Sequence, residues 1–134
     1  MNILFLGGDK RYKFMMYNLL EKHSIHEIGF KNVDNNIYSE DISNLSLDNF
    51  DIILLPMGGI NDQQEIKTEN GMLRLPDNIF DNLKKDVKVF TGLKTKKLLE
   101  LIPEKNVISF LDYKEVEEVN NHLTLERCNW WYKK

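Results

Sequence analysis

Ile3-Leu4-Phe5-Leu6-Gly7-Gly8-Asp9-Lys10-Arg11 sets four consecutive apolar residues ahead of two glycines, an aspartate and two cations. A short apolar run broken by Gly-Gly reads as a buried strand entering a tight turn. Asp9 is placed to cap whatever follows. From Lys10 to about Lys22, the residues Tyr12, Met16, Leu19, Leu20 and His23 recur at spacings of three and four. That is the stripe of an amphipathic helix lying with one face on a sheet. The stretch is therefore a β-turn-α opening, which points to the α/β class.

Working outward, the same punctuation recurs. Ile25 to Phe30 reads as a second strand, with a polar stretch rich in Asn, Asp and Ser running on to Asp48. Ile52 to Leu55 is apolar on consecutive positions, as in a strand buried on both faces, and ends in Pro56-Met57-Gly58-Gly59-Ile60-Asn61-Asp62. Val87 to Phe90 closes on Thr91-Gly92-Leu93, and Val107 to Leu111 is a fifth strand. Asn70-Gly71 between Ile66–Glu69 and Met72–Leu75 is a strong hairpin signal, so the spacing predicts a β-hairpin arm. Short helices are expected from Pro76 to Leu83 and around Leu98, Leu101 and Ile102, the latter stopped by Pro103. After Asp112 and Glu115, a capping-box variant, Val116, Val119 and Leu123 mark another helical face. Five strands alternating with helices predict a three-layer, flavodoxin/Rossmann-like domain with a parallel five-stranded sheet in the order 2-1-3-4-5. We expect one ligand-binding domain over residues 1–126 and a tail over 127–134.

Composition narrows the function. The 134 residues carry 18 basic and 21 acidic side chains, a net charge of −3, which speaks against binding a nucleic-acid polymer. Apolar runs are far shorter than the roughly 20 residues that span a bilayer. No signal-peptide pattern opens the sequence, so a cytoplasmic protein is expected. A single cysteine, Cys128, excludes an intramolecular disulfide and argues against a cysteine-built metal site. The sequence has no alanine, so its helices must draw their stability from packing. Such a bias fits a low-GC bacterial or phage gene.

In an open parallel sheet, ligands bind beyond the carboxyl ends of the strands, where the winding reverses. For the expected order that point lies between the first and third strands. Gly7, Gly8, Asp9, Lys10 and Arg11 combine helix-terminal N–H groups with two cations, a setting for phosphate or carboxylate, although Asp9 competes for the same N–H groups. A glycine turn with an Asp cap also needs no ligand, and both readings stand. Met57, Gly58 and Gly59 would let a ligand approach the backbone, with Asn61 and Asp62 offering hydrogen bonds. Thr91, Gly92, Leu93 and Lys94 would form the next wall. No catalytic residue, cofactor or metal is assigned: His23, His26 and His122 lie away from these loops, and no histidine neighbours Cys128 in sequence. Trp130 and Trp131 pack within the chain or, like the hairpin arm, serve a homodimer contact.

Taken in order, "ILFLGGDKR", "DIILLPMGGIND", "IKTENGMLRLP", "VKVFTGL" and "VISFLDYKEVEEVN" resemble the N-terminal domain of the dipicolinate synthase A subunit over about residues 1–126. The resemblance implies a flavodoxin-like fold, with the Gly7–Arg11 loop and the arm facing an interdomain cleft. Members of that family are two-domain enzymes of spore formation whose second domain carries the nicotinamide-binding fingerprint. No G-x-G-x-x-G occurs in this sequence. "LLPMGGINDQQE" is also loosely similar to the glycine loop of the lysine-decarboxylase-like superfamily, without its Gly-Thr ending. Two functions follow as expectations. One is a non-catalytic domain binding a small anionic or nucleotide-like molecule, in its extreme form a phage-type sponge for a nucleotide immune signal. The other is an accessory subunit of a dipicolinate-synthase-like oxidoreductase, working with a separate cofactor-binding chain.

Overall fold

A computed structural model describes residues 1–110 of the chain. Eight strands and two α-helices follow one another as β1 (Asn2–Leu6), α1 (Arg11–Leu19), β2 (Ser24–Ile28), β3 (Tyr38–Ser39), β4 (Ile52–Leu54), β5 (Glu65–Thr68), β6 (Gly71–Arg74), β7 (Lys88–Thr91), α2 (Lys96–Leu101) and β8 (Val107–Ser109). The main sheet has the order β3-β2-β1-β4-β7-β8, and every pairing in it is parallel. Without its edge strand this is the 2-1-3-4-5 order expected from the sequence.

The sixth strand is the departure. Tyr38 and Ser39 sit in the polar stretch and carry no apolar alternation, so nothing local marks them as a strand. They are held by long-range contacts instead: His26 pairs in register with Tyr38, and Ser39 donates its hydroxyl to the buried carboxylate of Glu27. β2 also stops earlier than expected, because Gly29 adopts φ 91° and turns the chain. The short helix expected after Pro76 is absent. That segment makes successive turns, with Ile79 N–H donating to Pro76 O and Asp81 N–H to Asn78 O.

Alternating side chains of the central strands fill two cores, one on each face. Ile3, Phe5, Ile52, Leu54 and Phe90 pack with Tyr12, Met15, Met16 and Leu19 of α1. Leu4, Leu6, Ile53 and Val89 face the other way, against Leu47, Ile66, Leu75, Phe80 and Leu98. Both faces are thus covered, as an all-parallel sheet requires. The hairpin arm β5–β6 forms as expected, its two strands antiparallel and closed at Thr68–Gly71. The expected last helix, and Leu111, His122, Cys128, Trp130 and Trp131, lie outside the described residues.

Candidate functional site

β1, β4 and β7 are neighbours running in one direction, so the loops that follow them share one edge. The winding reverses between β1 and β4, where a ligand crevice belongs. The loops after these two strands meet: a Cβ on Gly7 would stand 3.2 Å from Pro56 Cγ. The Tyr12 hydroxyl reaches from α1 to donate to Leu55 O at 2.6 Å. Burial pushes that hydroxyl's pKa far up, so it stays a protonated donor and supplies no acid–base chemistry. The loops after β4 and β7 are locked more closely. A Cβ on Gly92 would collide with Met57 O and stand 2.8 Å from Met57 Cα, and Thr95 Oγ1 donates to Ile60 O at 2.6 Å.

These contacts say what the glycines do. Gly92 lets two loops of this chain touch backbone to backbone, and Gly59 does the same against Leu93 O. The N–H groups of Gly7 and Gly8 donate to Ile28 O at 3.1 Å and Lys67 O at 2.9 Å. Gly58 differs: it is exposed, and no atom stands within 4 Å of where its Cβ would lie. Backbone is open to a ligand there.

Polar side chains divide in the same way. Asp9 accepts the Arg11 N–H at 2.9 Å and the Arg11 guanidinium at 2.8 Å, serving the start of α1 and pairing with a cation at once. Burial raises the Asp9 carboxyl, but the Arg11 hydrogen bonds, with the charges of Arg11 and Lys67, outweigh it and hold the group below its ordinary range. Lys10 is exposed beside this pair. Asn61 shapes its own loop: its Oδ1 accepts from Gln63 N–H and Glu65 N–H, and its Nδ2 donates to Glu65 Oε1. Asp62 and Leu93 are exposed on the same edge, and Met57 and Lys94 are half-buried.

No residue pattern in the sequence fixes where the arm docks; only the resemblance set it on the side of the Gly7–Arg11 loop. Lys67 O holds Gly8, Glu69 N–H donates to Gly29 O at 3.0 Å, and Lys13 Nζ lies 2.8 Å from Glu69 Oε1. The arm therefore lies along the ends of β1 and β2 and adds the exposed cation Lys67 to the edge. Gly29 was the available signal, since a Cβ there would stand 2.6 Å from Thr68. Among the described residues no cluster of three His, Cys, Asp or Glu could hold a metal, and no helix is long and apolar enough to cross a membrane. His26 lies in β2 and bonds Glu40, away from this edge.

The sequence profile of the N-terminal domain of the dipicolinate synthase A subunit matches residues 2–113. No curated protein sequence matches the chain. Among solved structures, the A subunit of dipicolinate synthase from Bacillus halodurans superposes with a TM-score of 0.75 at 19% identity, over 89% of this chain and 43% of that one. The A chain of dipicolinate synthase from Bacillus subtilis superposes equally well, again at 19% identity, over 97% and 46%. This chain spans less than half the length of either.

Proposed function

This chain belongs to the family of dipicolinate synthase A-subunit N-terminal domains, and from that premise we propose that it is a non-catalytic binding domain for a small anionic or nucleotide-like molecule. The ligand sits at the carboxyl edge of β1, β4 and β7. One observation carries the reading: the open backbone at Gly58 stands at the winding reversal, on the same edge as the exposed cations Lys10 and Lys67. Backbone access and positive charge together suit a phosphate or carboxylate group. A site that holds such a ligand without turning it over works stoichiometrically, as a sponge for a nucleotide signal does.

The test is mass spectrometry of small molecules released on denaturation, followed by titration with nucleotides and pyridine dicarboxylates. Gly58→Trp fills open space and leaves the fold intact, so it should weaken binding by about tenfold or more, as should Lys10→Glu. Gly8→Val is unsuited to this purpose, because a Cβ at Gly8 would stand 2.5 Å from the Tyr12 ring. Unchanged affinity in both Gly58→Trp and Lys10→Glu would refute the site.

A second reading rests on membership of the synthase A-subunit family. On it, the chain is an accessory subunit that completes an oxidoreductase with a separate nicotinamide-binding chain. Nicotinamide oxidation that appears only when such a chain is added would favour it.

A further inference from the structure

The opposite end of the sheet holds a concavity. Asn2 and Ser24 begin β1 and β2, Asn49 precedes β4, and with His26, Tyr38 and Glu40 they line a cavity of about 450 Å³. That volume lies within the ~300–1,000 Å³ range of small-molecule sites. The imidazole at its centre is fixed on three sides. His26 Nδ1 lies 2.7 Å from Glu40 Oε1, the ring stacks on Tyr38 at a centroid distance of 4.9 Å, and Phe50 meets it edge-on at 4.9 Å. Because the carboxylate accepts, Nδ1 donates, and in the neutral ring that leaves Nε2 as an acceptor. The Ser24 hydroxyl and the Asn49 carboxamide have no hydrogen-bond partner among the described residues.

Charge separates this cavity from the other edge. Among the described residues no lysine or arginine lines it, and Glu40 is the carboxylate on its wall. Asp41 and Asp48, next in sequence to Glu40 and Asn49, accept from Ser43 and Ser46. An anion is disfavoured there. What remains is an array in which Glu40 and His26 Nε2 accept, while Ser24 and Asn49 both donate and accept. A group that itself donates and accepts at adjacent positions satisfies this set, and vicinal hydroxyls on a ring do so.

We propose that this cavity is a second binding site, distinct from the carboxyl edge, for an uncharged ligand bearing vicinal hydroxyls. Such chemistry comes either from a free sugar or from the ribose of a nucleoside. The test is NMR titration of the full chain with D-ribose, D-glucose and adenosine, following the His26 and Tyr38 ring signals. Saturable shifts of both rings with any of the three are expected, and adenosine alone would identify the nucleoside as the source. Asn49→Leu, at an exposed position outside the strands, should weaken binding about fivefold to tenfold, the loss of one hydrogen bond to ligand. Glu40→Gln should weaken it as well, by releasing the imidazole. Absence of shifts at millimolar ligand, or equal affinity in Asn49→Leu, overturns the proposal. So does competition by inorganic phosphate, which would mark the site as an anion site.

Discussion

Two glycines one strand apart behave oppositely, and the difference is steric. At Gly92 any side chain would drive a carbon into Met57 O and to 2.8 Å from Met57 Cα. Both are backbone atoms, which cannot swing aside. Gly92→Ala should therefore cost about 2–3 kcal/mol or more in denaturant unfolding, at the upper end for overpacking. Gly58→Ala should change stability by less than about 0.5 kcal/mol, as an exposed substitution does. Equal effects would show that the loops after β4 and β7 are not locked together as described. The Asp9–Arg11 pair is a milder case. Its side chains are 42% and 46% exposed, so solvent screens the pair and Arg11→Ala should cost at most about 1 kcal/mol.

At the scale of elements, the base of the arm is tied by two side chains, Asn61 to Glu65 and Gln64 across to the end of β6. Gln64 is buried at φ 62°, and its Nε2 donates to Leu75 O at 2.9 Å and Pro76 O at 3.1 Å. Gln64→Ala strands the buried Leu75 carbonyl, while Pro76 O keeps the Ile79 N–H, and should cost about 1–3 kcal/mol. The loss should appear first in the arm: hydrogen exchange at the Gly8 and Glu69 amides, whose partners are Lys67 O and Gly29 O, should rise before that of β1 or β4. Uniform exchange across the sheet would mean that the arm does not move as a unit. The hairpin itself was legible, because Asn70-Gly71 fixes a turn locally. Its place was not, since docking depends on Gly7 and Gly29 packing against, and Gly8 donating to, residues about 40 to 60 positions away. The same division explains the edge strand. Ile52–Leu54 announces itself by apolar run, whereas Tyr38–Ser39 is a strand only because Glu27 and His26 reach it. In the site, sequence placed the three loops on one edge but could not tell a glycine that admits a ligand from one that admits a neighbouring loop.

For the whole molecule, titration joins the two ends of the sheet in one acid response. His23 is held below its ordinary value, first by burial, then by the terminal amino group and Lys22. A base with a depressed folded value contributes no penalty above about pH 6.5, and the unfolded chain takes up the extra proton below it. Stability should thus begin to fall as pH drops through that point. Among the described residues, three partly buried carboxyls act lower down. Asp51 is depressed chiefly by the Lys84 hydrogen bond, with Asn2 N–H adding to it. At Glu69 burial raises the value, but Lys13, with Lys31 N–H, outweighs it. Asp9 is held down by Arg11 in the same balance. A carboxyl with a depressed folded value stabilises fully above its unfolded value of about 4, and that stability is lost as pH falls through the folded value. Thermal melts from pH 8 to 3 should accordingly show a shallow decline below about 6.5 and a steeper one below about 4. His23→Gln should abolish the upper step and leave the lower. Asp51→Asn should flatten the lower step, because it removes a partner from Lys84 and from the first strand together. A single step that neither variant moves would mean that acid acts on residues other than these four.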